Sequence, residues 1–526
     1  MNVTSVTPKP TSRTKWLPIV VIIVSLLVIP PAADMIWVRV WRHIPVTYAT
    51  TRLTRPLGAN GLVNYAATLD SRYGRGVTAE NNAVPLLIQA TGVLATDHDV
   101  LFQAYRKKLF SRLHIKTPVI KSGFHGYYQW VSLKLGNNLT NAQWDANVTR
   151  VDPAFRLQPW TGKEFPLAAK WVRANTAALT LLKKAMRLPR YYLPLVRFRY
   201  INAENPLLQN FHAIASAAAA RALFRLGHGD TRGAVADIDD AMRLATLMSQ
   251  SPSLMARLSA DSVGILALRT EAAAAGTGLL SRLELEDLLR HTMPRTAILP
   301  LTRQLNFQRY DGLAFLERAS RHGIRTLIAE FNPKNANGPP LPPPLSAKIL
   351  DAVIPIHFAA TMRQKNQFYD QAALAMTQKS YLLRKSALHS LYQNVIRSTS
   401  GHPLRQWANP VDAQLPIMAR SMQSFFNEFS EELVMHRRMA LLAVALAIYK
   451  CDHGKYPEQL SALAPKYVKT IPGDGFTGKP LKYHLLNHGQ RFELYSVGPT
   501  GVKTSGKSQG GGNGAIIARG GALKSK

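Results

Sequence analysis

The stretch ASAAAARALFRLGHGDTRGAVADIDDAMRLA, residues 215–245, decides the fold class of this chain. Apolar residues with helical spacing run from Phe211 to Leu226, and Gly227-His228-Gly229-Asp230 then ends the first helix. A second helix is predicted from Thr231 to Met248. Small side chains, mostly alanine, lie where two such helices would cross, so the stretch predicts a tight α-helical hairpin in a mainly α protein.

The helical pattern continues beyond this hairpin. A third helix is predicted from Leu254 to Ala275, and Ser281 with Glu284 forms a capping-box pattern that begins a fourth. The alanine-rich pair with Gly-Asp at its turn resembles a tetratricopeptide repeat, although a regular recurrence of about 34 residues is not present. The resemblance implies that residues 206–330 form helical hairpins that present a surface to protein partners.

The composition excludes several classes of protein. The 526 residues are enough for two or three domains, and the formal charge is +34. An apolar fraction of 46% with a charged fraction of 18% argues against wholesale disorder and against a polytopic membrane protein. A single cysteine, Cys451, excludes an intrachain disulfide and a metal site built from several thiolates.

The N-terminal sequence predicts a membrane anchor. Residues 1–15 are basic and contain no acid, and they precede the 18 uncharged residues WLPIVVIIVSLLVIPPAA, residues 16–33. As a transmembrane helix these would span roughly 27 Å. The basic N-terminus is then cytoplasmic, which predicts a single-pass protein of the bacterial inner membrane with its bulk outside the cytoplasm. A cleavable signal peptide is the alternative, although Pro31-Ala32-Ala33 matches a cleavage site poorly.

Basic side chains are concentrated in two segments, where they alternate with aromatic ones. Residues 100–144 contain no acid, and residues 165–203 repeat the mixture. Because the predicted location is outside the cytoplasm, anionic lipid or an acidic wall polymer is the expected partner rather than nucleic acid. The alternative is that these are ordinary solvated faces of a basic protein. The candidate residues for binding an anionic surface are Arg106, Lys107, Lys108, Arg112, Lys116 and Lys121.

Proline, glycine and charge patterns divide the rest of the chain. Residues 34–205 are predicted to be mostly helical, with proline breaks and no clear motif. Residues 331–345 are rich in proline and form a linker or loop. Residues 346–420 return to helix, and residues 499–526 form a disordered, basic, glycine-rich tail.

Residues 421–498 combine a long helix with a small β-hairpin module. Their motifs are Ala445-Leu446-Ala447-Ile448-Tyr449, Gly454-Lys455-Tyr456-Pro457, Asp474 through Tyr483, and Tyr495-Ser496-Val497-Gly498. In this order they resemble the globular domain of the major pseudopilins of type II secretion, over roughly 80 of the 526 residues. The chain is also similar to large membrane-anchored proteins of bacteria such as planctomycetes, in which such an ending follows a helical body.

The chain departs from the pseudopilin pattern in ways that bear on filament assembly. The predicted membrane segment lies far upstream of the module, residues 499–526 hold no acid for the calcium site of that family, and Thr477 lengthens the loop. Turn chemistry and burial in a small core are the expected roles of the matching residues. These residues are Tyr456, Pro457, Asp474, Phe476, Gly478, Pro480, Tyr483, Tyr495 and Gly498.

Motifs for catalysis or for a resident metal are weak. Residues 501–508 fit the phosphate-loop expression, but the glycines that follow cannot form the helix that this loop requires. Glu432 with His436 is better explained as an i,i+4 pair on a helix surface, and residues 97–99 (Asp-His-Asp) as charges at a helix start. Cys451 near His453 is favoured as a packed thiol over a nucleophile. No cofactor and no metal are expected.

Together these observations predict a non-catalytic scaffold outside the cytoplasm that binds protein partners through its helical hairpins and its pseudopilin-like module. Two alternatives stay open. One is an envelope hydrolase acting on wall glycan or acidic polymer, with its site within residues 46–205. The other is an accessory component of a type II secretion-like apparatus.

Overall fold

The computed structural model is mainly helical with a small antiparallel sheet, which confirms the mainly α class. The predicted anchor, residues 16–33, and the proline-rich stretch 331–345 lie outside the described residues. Among the described helices, none combines the length and apolar character needed to cross a membrane. The structure describes residues 44–92, 100–115, 123–136, 138–151, 155, 157–194, 205–295, 301–323, 357–400, 418–420, 422, 427–499 and 516–521.

The chain forms two compact units. The smaller comprises residues 1–63, 312–366 and 399–414, and the larger comprises residues 64–311, 367–398 and 415–526. In the smaller unit, the Asn366 side chain donates to the carbonyl oxygens of Ala49 and Thr50, at 2.9 and 2.7 Å. These bonds fix the segment after the predicted anchor to a helix of the same unit.

The described regular elements are mostly α-helices, and the three strands lie near the C-terminal end of the chain. In chain order the described helices are α1 (Tyr65–Tyr73), α2 (Val84–Thr91), α3 (Val100–Arg112), α4 (Tyr127–Leu135), α5 (Asn141–Trp144), α6 (Pro166–Ala174), α7 (Thr176–Ala185), α8 (Asn205–Gly227), α9 (Thr231–Met248), α10 (Leu254–Gly276), α11 (Arg282–Arg295), α12 (Thr302–His322), α13 (Phe358–Met376), α14 (Tyr381–Ser400) and α15 (Asn427–His453). The strands are β1 (Lys482–Leu486), β2 (Arg491–Ser496) and β3 (Ile516–Gly520).

Helices α8, α9 and α10 form the predicted hairpins and pack against one another in the larger unit. The alanines at 217–220 of α8 are buried, and their small side chains allow close approach of the neighbouring helices. The Asp230 carboxylate accepts from the N–H of Gly233 at 2.9 Å and so caps α9. Ser281 and Glu284 form the capping box that the sequence indicated before α11.

Buried ion pairs join the hairpin helices. The guanidinium groups of Arg221 and Arg225 lie 2.6 and 3.0 Å from the Asp237 carboxylate, and Arg257 lies 2.7 Å from Asp261 within α10. Burial raises the pKa of Asp237, although the two guanidinium groups lower it in part. Replacing one partner of such a pair should destabilise the fold, because removing one partner of a buried pair typically costs about 3–5 kcal/mol.

Asp240 is a buried carboxyl one turn beyond Asp237 on α9. Its pKa is raised to about 7, mainly by burial and also by the carboxylates of Asp237 and Asp239, whereas Lys183 and Arg221 lower it in part. The folded chain therefore binds this proton more tightly than the unfolded chain does. Stability consequently falls as the pH rises from about 4, the unfolded value, to the folded value, and it then stays constant.

We expect Asp240→Asn to remove this pH dependence, because the amide has nearly the same shape and no charge. Above pH 7 the free energy of unfolding of the variant should be about 1–3 kcal/mol higher than that of the unchanged chain. The difference should shrink toward zero near pH 4. Urea unfolding across this range measures it, and an equal effect of the substitution at every pH would contradict the assignment.

Helix α15 lies inside the core of the larger unit, where it packs against α10, α11 and the sheet. Its apolar stretch from Met439 to Ile448 is buried except for the half-buried Leu441. A helix that is apolar on every side must be covered on every side. The C-terminal module is therefore continuous with the hairpins and shares their hydrophobic core.

The sheet has the order β1-β2-β3, with both pairs antiparallel. Tyr483 lies opposite Leu494, and Leu494 lies opposite Ala518, so that one face of all three strands is continuous. The hairpin of β1 and β2 agrees with the sequence. The prediction that residues 499–526 form a disordered tail is wrong for residues 516–520, because this short apolar segment gains backbone hydrogen bonds from β2 and buries Ala518.

Strand β3 approaches the end of α10 so closely that only glycine fits at position 276. The N–H of Gly521 donates to the carbonyl of Gly276 at 2.7 Å, and a Cβ atom at Gly276 would lie 2.2 Å from the carbonyl oxygen of Arg519. The close approach explains the glycine at this helix end and joins the sheet to the hairpins.

We expect Gly276→Ala to lower the free energy of unfolding by about 1–3 kcal/mol, because the strand must move away from α10. Gly123→Ala is the matched control, since a Cβ there meets nothing within 4 Å. The control should change stability by less than about 0.5 kcal/mol. Urea unfolding followed by tryptophan fluorescence compares the two variants, and equal midpoints would contradict the described contact.

Candidate binding surfaces

The loop before β1 is fixed by the buried carboxylate of Asp474. Its Oδ1 accepts from the N–H of Phe476 at 2.9 Å, which closes a turn of the kind that aspartate favours. Its Oδ2 accepts from the Ser496 hydroxyl at 2.9 Å and from the N–H of Val497 at 3.3 Å. Both oxygens are occupied by groups of the chain itself, so Asp474 joins the loop to the end of β2.

Three aromatic residues of the predicted set form the core side of the module. Tyr456 is buried and packs edge-to-face on Phe492, with ring centroids 4.8 Å apart. The Tyr483 hydroxyl donates to the carbonyl oxygen of Pro457 at 2.7 Å. Phe476 is buried in the cluster that also contains α15.

The rest of that set occupies turns and the strand end. Gly478 and Gly498 both have φ of 70°, a conformation that favours glycine. The Tyr495 ring stacks on His484, and Pro480 is exposed at the end of the loop. Apart from Pro480, each of these residues has a turn, a packing contact or a hydrogen bond within the module.

We expect Asp474→Asn to destabilise the protein by about 1–3 kcal/mol, because an amide nitrogen cannot accept from the Ser496 hydroxyl and the Val497 N–H. Asp145→Asn is the control, since Asp145 is exposed and pairs with Arg150 at the surface. Its effect should stay below about 1 kcal/mol. Chemical unfolding measures both, and a neutral Asp474→Asn would show that the carboxylate does not hold the loop.

Three exposed leucines flank the turn between α13 and α14. Leu374 is 67% exposed, Leu382 47% and Leu383 58%, and Lys379 is exposed within the turn. Single exposed leucines are ordinary on protein surfaces, whereas groups of them are typical of interaction sites. We call Leu374, Leu382 and Leu383 the leucine patch.

The leucine patch is held against the C-terminal module. Tyr381, the residue before the two leucines of α14, packs edge-to-face on Phe476, with ring centroids 5.1 Å apart. Arg384 lies 2.5 Å from the Glu431 carboxylate of α15 and donates to the Asn427 side chain at 3.0 Å. Glu431 is buried and Arg384 is half-buried, so Leu382 and Leu383 have a fixed position relative to α15 and the loop.

The basic residues predicted to bind an anionic surface are only partly available. Lys107 and Lys108 are exposed on α3, and Arg106 is half-buried. Arg112 pairs with Asp70 at 2.8 Å, which neutralises its charge locally. The last two predicted residues, Lys116 and Lys121, lie outside the described residues.

An open pocket with a cavity volume of about 520 Å³ lies between the start of α6 and the turn after α8. Three of its residues are permanent cations, one is histidine, and no carboxylate is among them. The lining residues are Thr161, Gly162, Lys163, Pro166, Ala169, Lys170, Arg173 and His228. We call this cavity the basic pocket.

The candidate catalytic and metal-binding residues do not form a site in the described part of the chain. His436 lies 3.8 Å from Glu432, but its side chain is buried, so the prediction of a surface pair is wrong. Burial lowers the pKa of His436, because a charge is costly inside the core. His453 is hydrogen-bonded to Tyr467 at 3.2 Å. Cys451 is exposed, so the prediction of a packed thiol is wrong. No cluster of metal-binding side chains occurs among the described residues. Residues 97–99 and 501–508 lie outside them.

A comparison with protein-family models, curated proteins and solved structures finds no match to this chain. The tetratricopeptide and pseudopilin resemblances therefore stay predictions from motifs.

The sequence did not single out the basic pocket. Lys170 and Arg173 are three residues apart on α6, which indicates a shared helix face. His228 follows 55 residues after Arg173, and only the packing of α6 beside the end of α8 brings it to the same cavity. A motif search along the chain has no signal for such a combination.

Proposed function

We propose that the protein is a non-catalytic scaffold of the bacterial inner membrane, anchored through residues 16–33, with its bulk outside the cytoplasm. It binds protein partners through a surface that combines helices with the pseudopilin-like C-terminal module. The leucine patch beside that module is the observation that carries the proposal. The anchor itself is supported by the sequence pattern of residues 1–33.

The surroundings of the leucine patch specify the chemistry of the partner. The exposed Lys379 lies between the leucines of α13 and α14, and the Lys385 ammonium lies 5.7 Å from the Tyr381 ring. An apolar partner face flanked by acidic residues would cover the leucines and pair with these cations. The Arg384–Glu431 pair keeps the surface rigid, so little conformational entropy is lost on binding.

Because the protein is tethered at the membrane, a weak contact is sufficient to form a complex with a partner in the same membrane. A protein held at the bilayer meets a partner in the same membrane at a high effective concentration, because both move in a thin layer. A small patch of three leucines can then hold a complex that would be weak in free solution.

We expect the double substitution Leu382→Asp and Leu383→Asp to abolish partner contact without unfolding the chain, because both side chains are exposed. A photo-crosslinking amino acid at position 374 of the full-length protein, expressed in its native membrane, reports that contact. The yield of a defined cross-linked product should fall about tenfold or more in the double variant.

Leu283→Asp is the matched control, since Leu283 is 74% exposed on α11. It should leave the product unchanged, and all three proteins should sediment with the membrane after an alkaline wash. Equal cross-linking in the double variant and in the control would refute binding through the patch. Release of the protein by the alkaline wash would refute the anchor.

A further inference from the structure

We propose that the basic pocket is a binding site for a phosphate monoester group. This site is independent of the leucine patch, and it would give the protein a small anionic ligand in addition to protein partners.

The pocket concentrates positive charge that the chain itself does not neutralise. Lys163, Lys170 and Arg173 are exposed, and none of them forms an ion pair with a carboxylate in the described part of the chain. Pro166, the first residue of α6, also lines the pocket, so the positive end of this helix dipole faces the same space. Together these groups favour a ligand with more than one negative charge.

Two acids next to the lining residues in sequence, Glu164 and Asp230, are engaged in bonds of their own. The Glu164 carboxylate accepts from the N–H and the hydroxyl of Thr161, at 2.6 and 2.9 Å. The Asp230 carboxylate caps α9 and lies 3.4 Å from Arg225. Because neither acid lines the pocket, an incoming anion does not compete with a resident carboxylate.

His228 is oriented to add a hydrogen bond. Its Nδ1 donates to the Phe224 carbonyl at 2.8 Å, since a carbonyl oxygen can only accept, and its ring lies 4.3 Å from the Phe224 ring. The other ring nitrogen, Nε2, is left for a ligand, and it donates to a phosphate oxygen when the ring is charged.

The chain on either side of the pocket is closely packed. Trp160 is buried, and its indole N–H donates to the Ala220 carbonyl at 3.2 Å. A Cβ atom at Gly227 would lie 2.2 Å from the Trp160 carbonyl oxygen, so the segment before the pocket is closely packed on the end of α8. This packing fixes the distance between the α6 cations and His228.

The charge and shape of the site favour phosphate over a single carboxylate. A phosphate monoester carries close to two negative charges at neutral pH and has three terminal oxygens that can each meet a different cation. The Arg173 guanidinium can bind two of these oxygens at once, while the lysines act as point charges. The group can belong to a soluble molecule or to a lipid headgroup, and its chemistry at the pocket is the same.

The test titrates the full-length protein in neutral detergent with glycerol 1-phosphate at constant ionic strength and about pH 7.5, where the ester is a dianion. Isothermal calorimetry should detect binding, and the double substitution Lys170→Gln and Arg173→Gln should raise the Kd about tenfold or more. Lys469→Gln with Lys482→Gln is the matched control, because it removes two exposed cations that do not line the pocket and should change the Kd less than about twofold.

A second probe, fluorescent phosphatidic acid in micelles, separates the two sources of the phosphate. A lipid source predicts that the protein binds a soluble fluorescent phosphatidic acid micelle more tightly than glycerol 1-phosphate, and that the pocket variant loses this preference. A soluble source predicts equal affinity for the two probes. Three outcomes would overturn the proposal: no binding of either probe up to about 10 mM, equal weakening in the pocket variant and its control, or tighter binding of citrate than of the phosphate ester.

Discussion

The burial of α15 is the constraint on which the larger unit depends. Its apolar stretch from Met439 to Ile448 contacts α10 on one side and the sheet on another, so neither the hairpins nor the strands have a complete core without it. Each buried Leu, Ile or Val side chain contributes roughly 1.5–3 kcal/mol. The helix therefore unites two parts of the chain that the motifs indicated as separate modules.

The polar contacts around this core fix its arrangement more than they add to its stability. Arg384 with Glu431 and Arg257 with Asp261 are buried or partly buried pairs, whose desolvation offsets much of their attraction. Their geometry nevertheless admits few alternatives, because a shifted helix would leave a charge without its partner. Glu431 and Asn427 on α15 thus determine where α14 lies, and α14 in turn positions the leucine patch.

Local sequence signals predicted the helices well. The features that depend on contacts between residues far apart in the sequence were not predicted. The bounds of α9, Thr231 to Met248, follow from its apolar spacing, from Asp230 at its start and from Ser251-Pro252 beyond its end. The strand 516–520 has only five residues, and its stability depends on β2 and on the end of α10, which no local pattern reveals. The apolar run of α15 did carry a signal, because a helix that is apolar on every side is a buried one. The roles of Asp474 and Phe476 followed from turn chemistry, whereas the basic pocket depends on the packing of α6 beside α8.

The distribution of the acids explains why the surface is so basic. The chain has 31 acids against 65 lysines and arginines, and many described acids are engaged internally. Asp237, Asp261 and Glu431 pair with buried or half-buried arginines, and Asp474 and Asp230 hold turns. The cations of the basic pocket and of α3 consequently face solvent with few local counter-charges.

The positive charges of such a surface repel one another, which lowers stability, and they attract anions with a strength that falls as salt is added. A positive exterior of this kind is suited to a location where fixed negative charge is abundant, as it is at the surface of a membrane with anionic lipids.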